Sequence, residues 1–219
     1  MDFQRFITQL KIAINNDLPG EESHQKMRVI YDQSIELPFS KINSIPAAVL
    51  ILLYLADNEI YFFLTKRTDE LKHHKGQISL PGGTQEGNEK LIDTALRETQ
   101  EEIGINKTSI SIIGTITPLF VPVTGFMIYP FIGYSHNKLE PKPDPVEVAT
   151  IFSVNISDLL NKENRTTEQR NIRGYNVKVP YFKLNDYRVW GATAMILSEF
   201  KDLIKSINCL LYTSDAADE

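Results

Sequence analysis

Apolar residues recur along this chain with two periods, and the changes of period mark its elements. Phe3, Phe6, Ile7, Leu10 and Ile14 keep helical spacing, and Leu18, Pro19 and Gly20 predict where that helix ends. A mixed polar connector with one short helical piece, Glu21 to Ser44, precedes two apolar, β-branched and aromatic runs, Ala47 to Ala56 and Glu59 to Thr65. Asp57 and Asn58 between them predict a hairpin of two central strands. Ile92, Leu96, Thr99 and Ile103 predict the apolar face of a second helix, ended by a left-handed cap at Gly104. Strands are expected at Ile110 to Thr117, Phe126 to Tyr134, Ala149 to Val154 and Tyr175 to Leu184. A helical turn is expected at Ser157 to Leu160, and a mobile loop over the polar stretch Asn161 to Asn171. Met195, Phe200, Leu203, Ile204 and Ile207 predict a closing amphipathic helix.

With 219 residues, 42% of them hydrophobic, the chain can fill one sizeable core. A single domain over residues 1–208 with an N-terminal helical extension is the expectation. The net charge of −5 argues against a nucleic-acid surface. No run reaches the roughly 20 apolar residues a membrane span needs, and Met1 to Asn16 is charged and amphipathic, unlike a signal peptide. The one cysteine, Cys209, excludes an intramolecular disulfide and fits a reducing cytoplasm. The last eleven residues, Cys209 to Glu219, break the pattern. Back-translated they are compatible with the end of a common sequencing adapter, so residues 209–219 are expected to be a non-native tail. Without the three acids of that tail the net charge would be −2.

The chemistry concentrates between Gly83 and Ile105. Glu98, Glu101 and Glu102 stand at i, i+3 and i+4, which predicts carboxylates projecting together from the face opposite the apolar one. Anions so placed repel unless a cation sits among them, and a donor set made only of oxygens suits a hard ion such as Mg²⁺ or Mn²⁺. The bland alternative is a solvated acidic face. Arg97 can hold Glu101 four residues on or reach back to Glu89. The turn Pro81-Gly82-Gly83 lets backbone approach a ligand closely, which makes the Gly83 carbonyl a further candidate metal ligand. Just upstream, Lys66, Arg67, Lys72, His73, His74 and Lys75 cluster. This is either a solvated basic loop or the site of a multiply phosphorylated substrate.

Seven of these residues, Gly83, Glu89, Arg97, Glu98, Glu101, Glu102 and Gly104, fit the spacing G-x5-E-x7-R-E-x-x-E-E-x-G. A match of this length would arise by chance in roughly one chain in a million. It resembles the signature of the Nudix hydrolases at every fixed position, with Thr99 where a larger aliphatic residue is usual. The run LTKRTDELKHHKGQISLPGG is similar to the motif upstream of that signature in the coenzyme A pyrophosphatase branch. Leu64, Thr65, Arg67, Leu71, His74, Gly76, Pro81, Gly82 and Gly83 match it, while Lys72 stands for arginine, Ile78 for valine and Leu80 for phenylalanine. Trp190 to Ala194 resembles the W-G-x-T-A element of the same branch.

The resemblance implies a Nudix fold, an α/β/α sandwich with a mixed β-sheet. It also implies metal-dependent hydrolysis of a nucleoside diphosphate linkage, with coenzyme A or acyl-CoA cleaved to 3′,5′-ADP and (acyl) 4′-phosphopantetheine. On this reading Glu98, Glu101, Glu102 and Gly83 hold Mg²⁺ or Mn²⁺, Glu98, Arg97 and Glu101 serve catalysis, and Arg67, Lys72, His74, Gly76 and Gly82 meet the substrate. Glu102 is the firmest metal ligand and Glu98 one candidate base, the choice among glutamates staying open. Glu147 is either a further ligand beyond the signature or an ordinary exposed acid. The expected partner is a small molecule, with no nucleic acid or membrane and with a homodimer open. Two rivals remain: a Nudix pyrophosphatase for ADP-ribose or a modified nucleotide, and a non-catalytic nucleotide sensor.

Overall fold

The computed structural model describes residues 2–31, 40–68, 76–172 and 174–214, with side chains through Ile207. Lys72, His74 and the tail beyond Ser214 lie outside that set. The chain opens with α1 (Phe3–Ile14) and α2 (Gly20–Gln25), then β1 (Ile30–Tyr31) and the hairpin β2 (Ile45–Ala56) and β3 (Glu59–Arg67). Short strands β4 (Ile78–Ser79) and β5 (Gly82–Thr84) lead into α3 (Leu91–Ile103). Next come β6 (Ser111–Thr115), β7 (Leu119–Val121), β8 (Phe126–Ser135), β9 (Val148–Asn155) and α4 (Ile156–Leu160). The chain closes with β10 (Arg165–Ile172), β11 (Tyr175–Leu184), β12 (Tyr187–Trp190) and α5 (Gly191–Ser214).

β2 is the central strand because it is apolar on both faces, the composition a strand needs when helices cover both sides. Ala48, Leu50, Leu52 and Tyr54 face the cluster containing Ala95 and Ile103 of α3. Ile51 and Leu53 face the other way, into a core built with Phe6, Ile7 and Leu10 of α1 and Leu197, Phe200 and Ile204 of α5. The sheet is mixed: β2 runs parallel to β8 from Ile45↔Phe126 to Tyr54↔Ser135, and antiparallel to β3 and β5. The hairpin turn has Asp57 and Asn58 at φ 49° and 61°, the left-handed pair that a two-residue connection matching strand twist requires. Helices on both faces of a mixed sheet are the expected α/β/α sandwich.

A second, antiparallel sheet of β1, β10, β11 and β12 leans on the first, and its Phe182, Leu184 and Val189 join the same core as α5. The polar stretch expected as a mobile loop contains β10, paired with β11 from Arg165↔Phe182 to Ile172↔Tyr175. β10 is an edge strand, and edge strands carry polar and charged residues that hide their pairing from a hydrophobicity pattern. Among the described residues no helix is long and apolar enough to cross a membrane.

α5 is pinned by one buried carboxylate. Glu199, fully buried, accepts hydrogen bonds from the Gly20 N–H (3.1 Å), the Thr117 N–H (3.2 Å) and the Thr117 hydroxyl (2.6 Å), and meets His24 Nε2 at 2.8 Å. Its loss would strand four polar groups away from water. Glu199→Ala is therefore expected to lower unfolding free energy by about 3 kcal/mol. Urea titration measures this, and a loss below about 1 kcal/mol would contradict the accounting.

Candidate active site

α3 lies across the sheet on a face that keeps Thr99 and Ile103 of the expected apolar stripe but is turned toward Thr94, Ala95 and Glu102. Thr94, Ala95, Thr99, Glu102 and Ile103 are buried, whereas Ile92 and Leu96 are only partly so. The helix is rotated toward its small residues because Ala95 and Thr99 let it approach β2 and β5, and the Thr99 hydroxyl is satisfied by the Ala95 carbonyl at 2.6 Å. The rotation changes the fate of the three glutamates. Glu102 faces inward at 2% side-chain exposure, Glu98 sits at 15% and Glu101 faces solvent at 57%. The single outward cage expected from their spacing is not formed. They fan around the helix, and among the described residues no three His, Cys, Asp or Glu side chains gather closely enough to hold a metal ion as they stand.

Arg97 accounts for the outer half of the fan. Its Nη1 donates to Glu98 Oε1 at 2.9 Å and Glu101 Oε2 at 2.8 Å. Its Nε and Nη2 donate to the two Glu89 oxygens at 3.2 and 2.9 Å, and Nη2 also reaches the Thr84 carbonyl at 3.2 Å. Both roles foreseen for Arg97 are thus realised by one planar fork. These contacts hold the guanidinium protonated above its ordinary range, with Glu89 the largest contributor. They hold Glu89 down to about 2, helped by the Glu86 N–H and the Thr94 hydroxyl. Glu101 meets Arg97 on the solvent rim, while Glu98 meets the same nitrogen from a more buried position.

The inner half is built around Glu102. Strand β5 runs beside β2, setting Gly83 against Ala48 and Gly82 against Val49. A Cβ at Gly83 would collide with the Glu98 carboxylate, so only glycine lets that side chain lie against the strand. The Gly82 N–H donates to Glu102 Oε2 at 3.2 Å, a contact that sequence reasoning assigned to substrate. Gly76, at φ +61°, enters the turn before β4. On the other side, the pairing of β3 with β9 slips after Lys66↔Thr150, so that Arg67 faces Val148 and Ala149 is skipped. Such a bulge re-aims a side chain. Arg67 Nη1 lies 3.5 Å from Glu102 Oε1 and Nη2 lies 3.3 Å from Glu147 Oε2.

Glu147 arrives there because of the prolines before it. Pro141, Pro143 and Pro145 have no N–H, and the intervening Lys142 and Asp144 donate theirs to the terminal α3 carbonyls of Ile103 (2.9 Å) and Glu102 (3.1 Å). The loop thus caps the helix that carries the glutamates. Gly104, left-handed at φ 69°, ends the helix as the sequence predicts and leaves room for Lys142. Thr68 then fixes Glu147 through its N–H to the Glu147 carbonyl and its hydroxyl to the Val146 carbonyl, each at 3.0 Å. Glu147 is an integral neighbour of the site. The sequence reading left Glu147 as either a further ligand or an ordinary exposed acid, and the fold sets it 3.3 Å from Arg67 Nη2.

Burial pushes the Glu102 carboxyl up to about 8, opposed by the Gly82 N–H and Arg67 and reinforced by Glu98 and Glu147. Burial likewise raises Glu98, against Arg97, with Glu101 and Glu147 adding repulsion. The donor chemistry fits a hard divalent ion: two desolvated carboxylates with a third beside them are short of positive charge, and oxygen donors supply what Mg²⁺ or Mn²⁺ takes.

Arg97→Ala is expected to destabilise the fold by about 2 kcal/mol at neutral pH, and Arg97→Lys to recover part of that, since lysine lacks the fork. Glu89 gives the pH dependence its sign. Its folded pKa of about 2 lies below the ordinary 4.5, so its contribution is present above that range and is lost as pH falls toward 2. The stability gap between wild type and Arg97→Ala should therefore narrow between about pH 5 and pH 2. Urea midpoints across that range check it, and a constant or widening gap would be the wrong sign.

Residues 44–173 match the NUDIX domain family. Nudix hydrolase 15, mitochondrial, of Arabidopsis thaliana is 37% identical over 159 residues, spanning 69% of this chain and 55% of that protein. The uncharacterized Nudix hydrolase NudL of Enterobacter sp. (strain 638) is 34% identical over 159 residues, spanning 72% of this chain and 82% of that one. The crystal structure of RenU, a Nudix hydrolase from M. smegmatis, shares the fold at a TM-score of 0.54 and 15% identity, over 82% of this chain and 94% of that chain. The chain spans about half the length of the plant relatives it matches.

Proposed function

The chain belongs to the Nudix family, and on that footing we propose that it is a metal-dependent pyrophosphohydrolase of nucleoside diphosphate derivatives, with coenzyme A or an acyl-CoA as substrate. The observation that carries this reading is a contact between residues 35 positions apart, drawn from two motifs that meet at Gly83. Arg67, from the run resembling the coenzyme A pyrophosphatase branch, meets Glu102 of the glutamate signature at 3.5 Å. Residues that need each other in one site are more informative than either motif alone.

Hydrolysis adds water across one phosphoanhydride bond, giving 3′,5′-ADP and 4′-phosphopantetheine, each ending in a phosphate monoester. A divalent ion, Mg²⁺ or Mn²⁺, neutralises the diphosphate oxygens and makes water a better nucleophile when bound. Glu98 and Glu102 are the residues that would hold it, with Glu147 and the Gly83 carbonyl beside them. Arg97 orients Glu98, and Glu101 steadies Arg97 from the solvent side. Burial raises Glu98 above the ordinary carboxylate range, the direction that makes a carboxylate a better proton acceptor. Arg67, Lys72 and His74 supply positive charge for the substrate phosphates.

Purified protein with Mg²⁺ or Mn²⁺ should show its highest kcat/KM with coenzyme A, compared with ADP-ribose, NADH and oxidised dGTP. Preference for another of these would remove the coenzyme A assignment and keep the hydrolase. Glu102→Gln should lower kcat on the order of 10²–10³-fold. Its melting temperature should stay level or rise, since glutamine removes a carboxylate that is costly to ionise where it lies. A variant that keeps turnover would deny Glu102 its role.

A further inference from the structure

Two arginines serve the glutamates of α3, and they serve them differently. Arg97 makes close, multiple contacts at 2.8 to 3.2 Å, as a permanent brace does. Arg67 is held at 3.5 Å from Glu102 and 3.3 Å from Glu147, one nitrogen to each. Charge-assisted hydrogen bonds ordinarily close to about 2.7–2.9 Å, so the guanidinium is stretched between two carboxylates and docks properly on neither. Its buried Nε has no hydrogen-bond partner among the described residues. The side chain is 26% exposed, and the bulge in the β3–β9 pairing sets it between the two acids.

A cation placed between two acids and bound fully to neither competes with any other cation for them. We propose that Arg67 is an internal counter-cation of this site, which a divalent ion displaces from Glu102 and Glu147 and so releases toward the substrate phosphates. This rests on the metal-dependent reading above. Arg67 offers the two acids part of a positive charge that an incoming ion would replace. With the carboxylates shared by an incoming ion, its fork turns to phosphate oxygens, which it can grip with two donors at once. Metal affinity and substrate affinity are thereby set against each other at one residue.

The test is Mn²⁺ binding without substrate, by calorimetry and by the loss of the free Mn²⁺ electron paramagnetic resonance signal. The proteins are wild type, Arg67→Gln, Arg67→Met and Arg67→Lys. Removing the charge should lower the Mn²⁺ Kd about tenfold in Arg67→Gln, with Arg67→Met moving the same way and Arg67→Lys staying near wild type. The same two neutral variants should show a higher KM for coenzyme A, so metal and substrate affinity move in opposite directions. A side chain that only props up the site would weaken both. Mn²⁺ binding that is unchanged or weaker in the neutral variants, with wild type binding normally, overturns this inference alone. Wild type that binds no Mn²⁺ overturns it together with the metal-dependent function.

Discussion

A carboxylate buried beside other carboxylates must find positive charge, and the described structure is arranged around that need. Glu102 lies under α3 with its pKa pushed up to about 8, chiefly by burial, with Glu98 and Glu147 adding repulsion. An isolated anion so placed would be neutralised by a proton. Gly82 donates one N–H, Arg67 offers part of a guanidinium, and Arg97 draws the charge of Glu89, Glu98 and Glu101 outward. The balance is incomplete on the inner side, which is what a site that accepts a further cation requires.

Each scaffold feature near the site contributes to that balance. The apolar β2 fixes the sheet on which β5 lies, β5 lacks side chains at Gly82 and Gly83, and that absence admits Glu98 and exposes an N–H to Glu102. The bulge at Arg67 and the proline loop at Pro141–Pro145 bring a cation and an anion together from opposite sides. The loop also caps α3, so helix stability and the placement of Glu147 are one construction.

Much of this was legible in the sequence. The β2–β3 hairpin followed from two apolar runs around Asp57-Asn58, α3 and its Gly104 cap from periodicity, and the Nudix resemblance from seven fixed positions. Three things were not legible. β10 was missed because its exposed edge carries polar residues. The rotation of α3 was missed because Ala95 and Thr99 are small, and packing rewarded closeness over apolarity. The different burial of Glu98, Glu101 and Glu102 was missed because i, i+3, i+4 spacing says that side chains share a sector, while the packing of α3 decides how deep each lies. Glu147 was already a candidate from the resemblance, and the fold added its contact with Arg67.

The central claim is that the inner carboxylates, Glu98 and Glu102, are the cation site, while Glu101 stays with Arg97. Crystals grown with Mn²⁺ and measured at a wavelength where manganese scatters anomalously test it directly. The account predicts an anomalous peak at coordination distance, about 2.1 Å, from oxygens of both Glu98 and Glu102. No peak at α3, or a peak held by Glu101 alone on the solvent side, would contradict it.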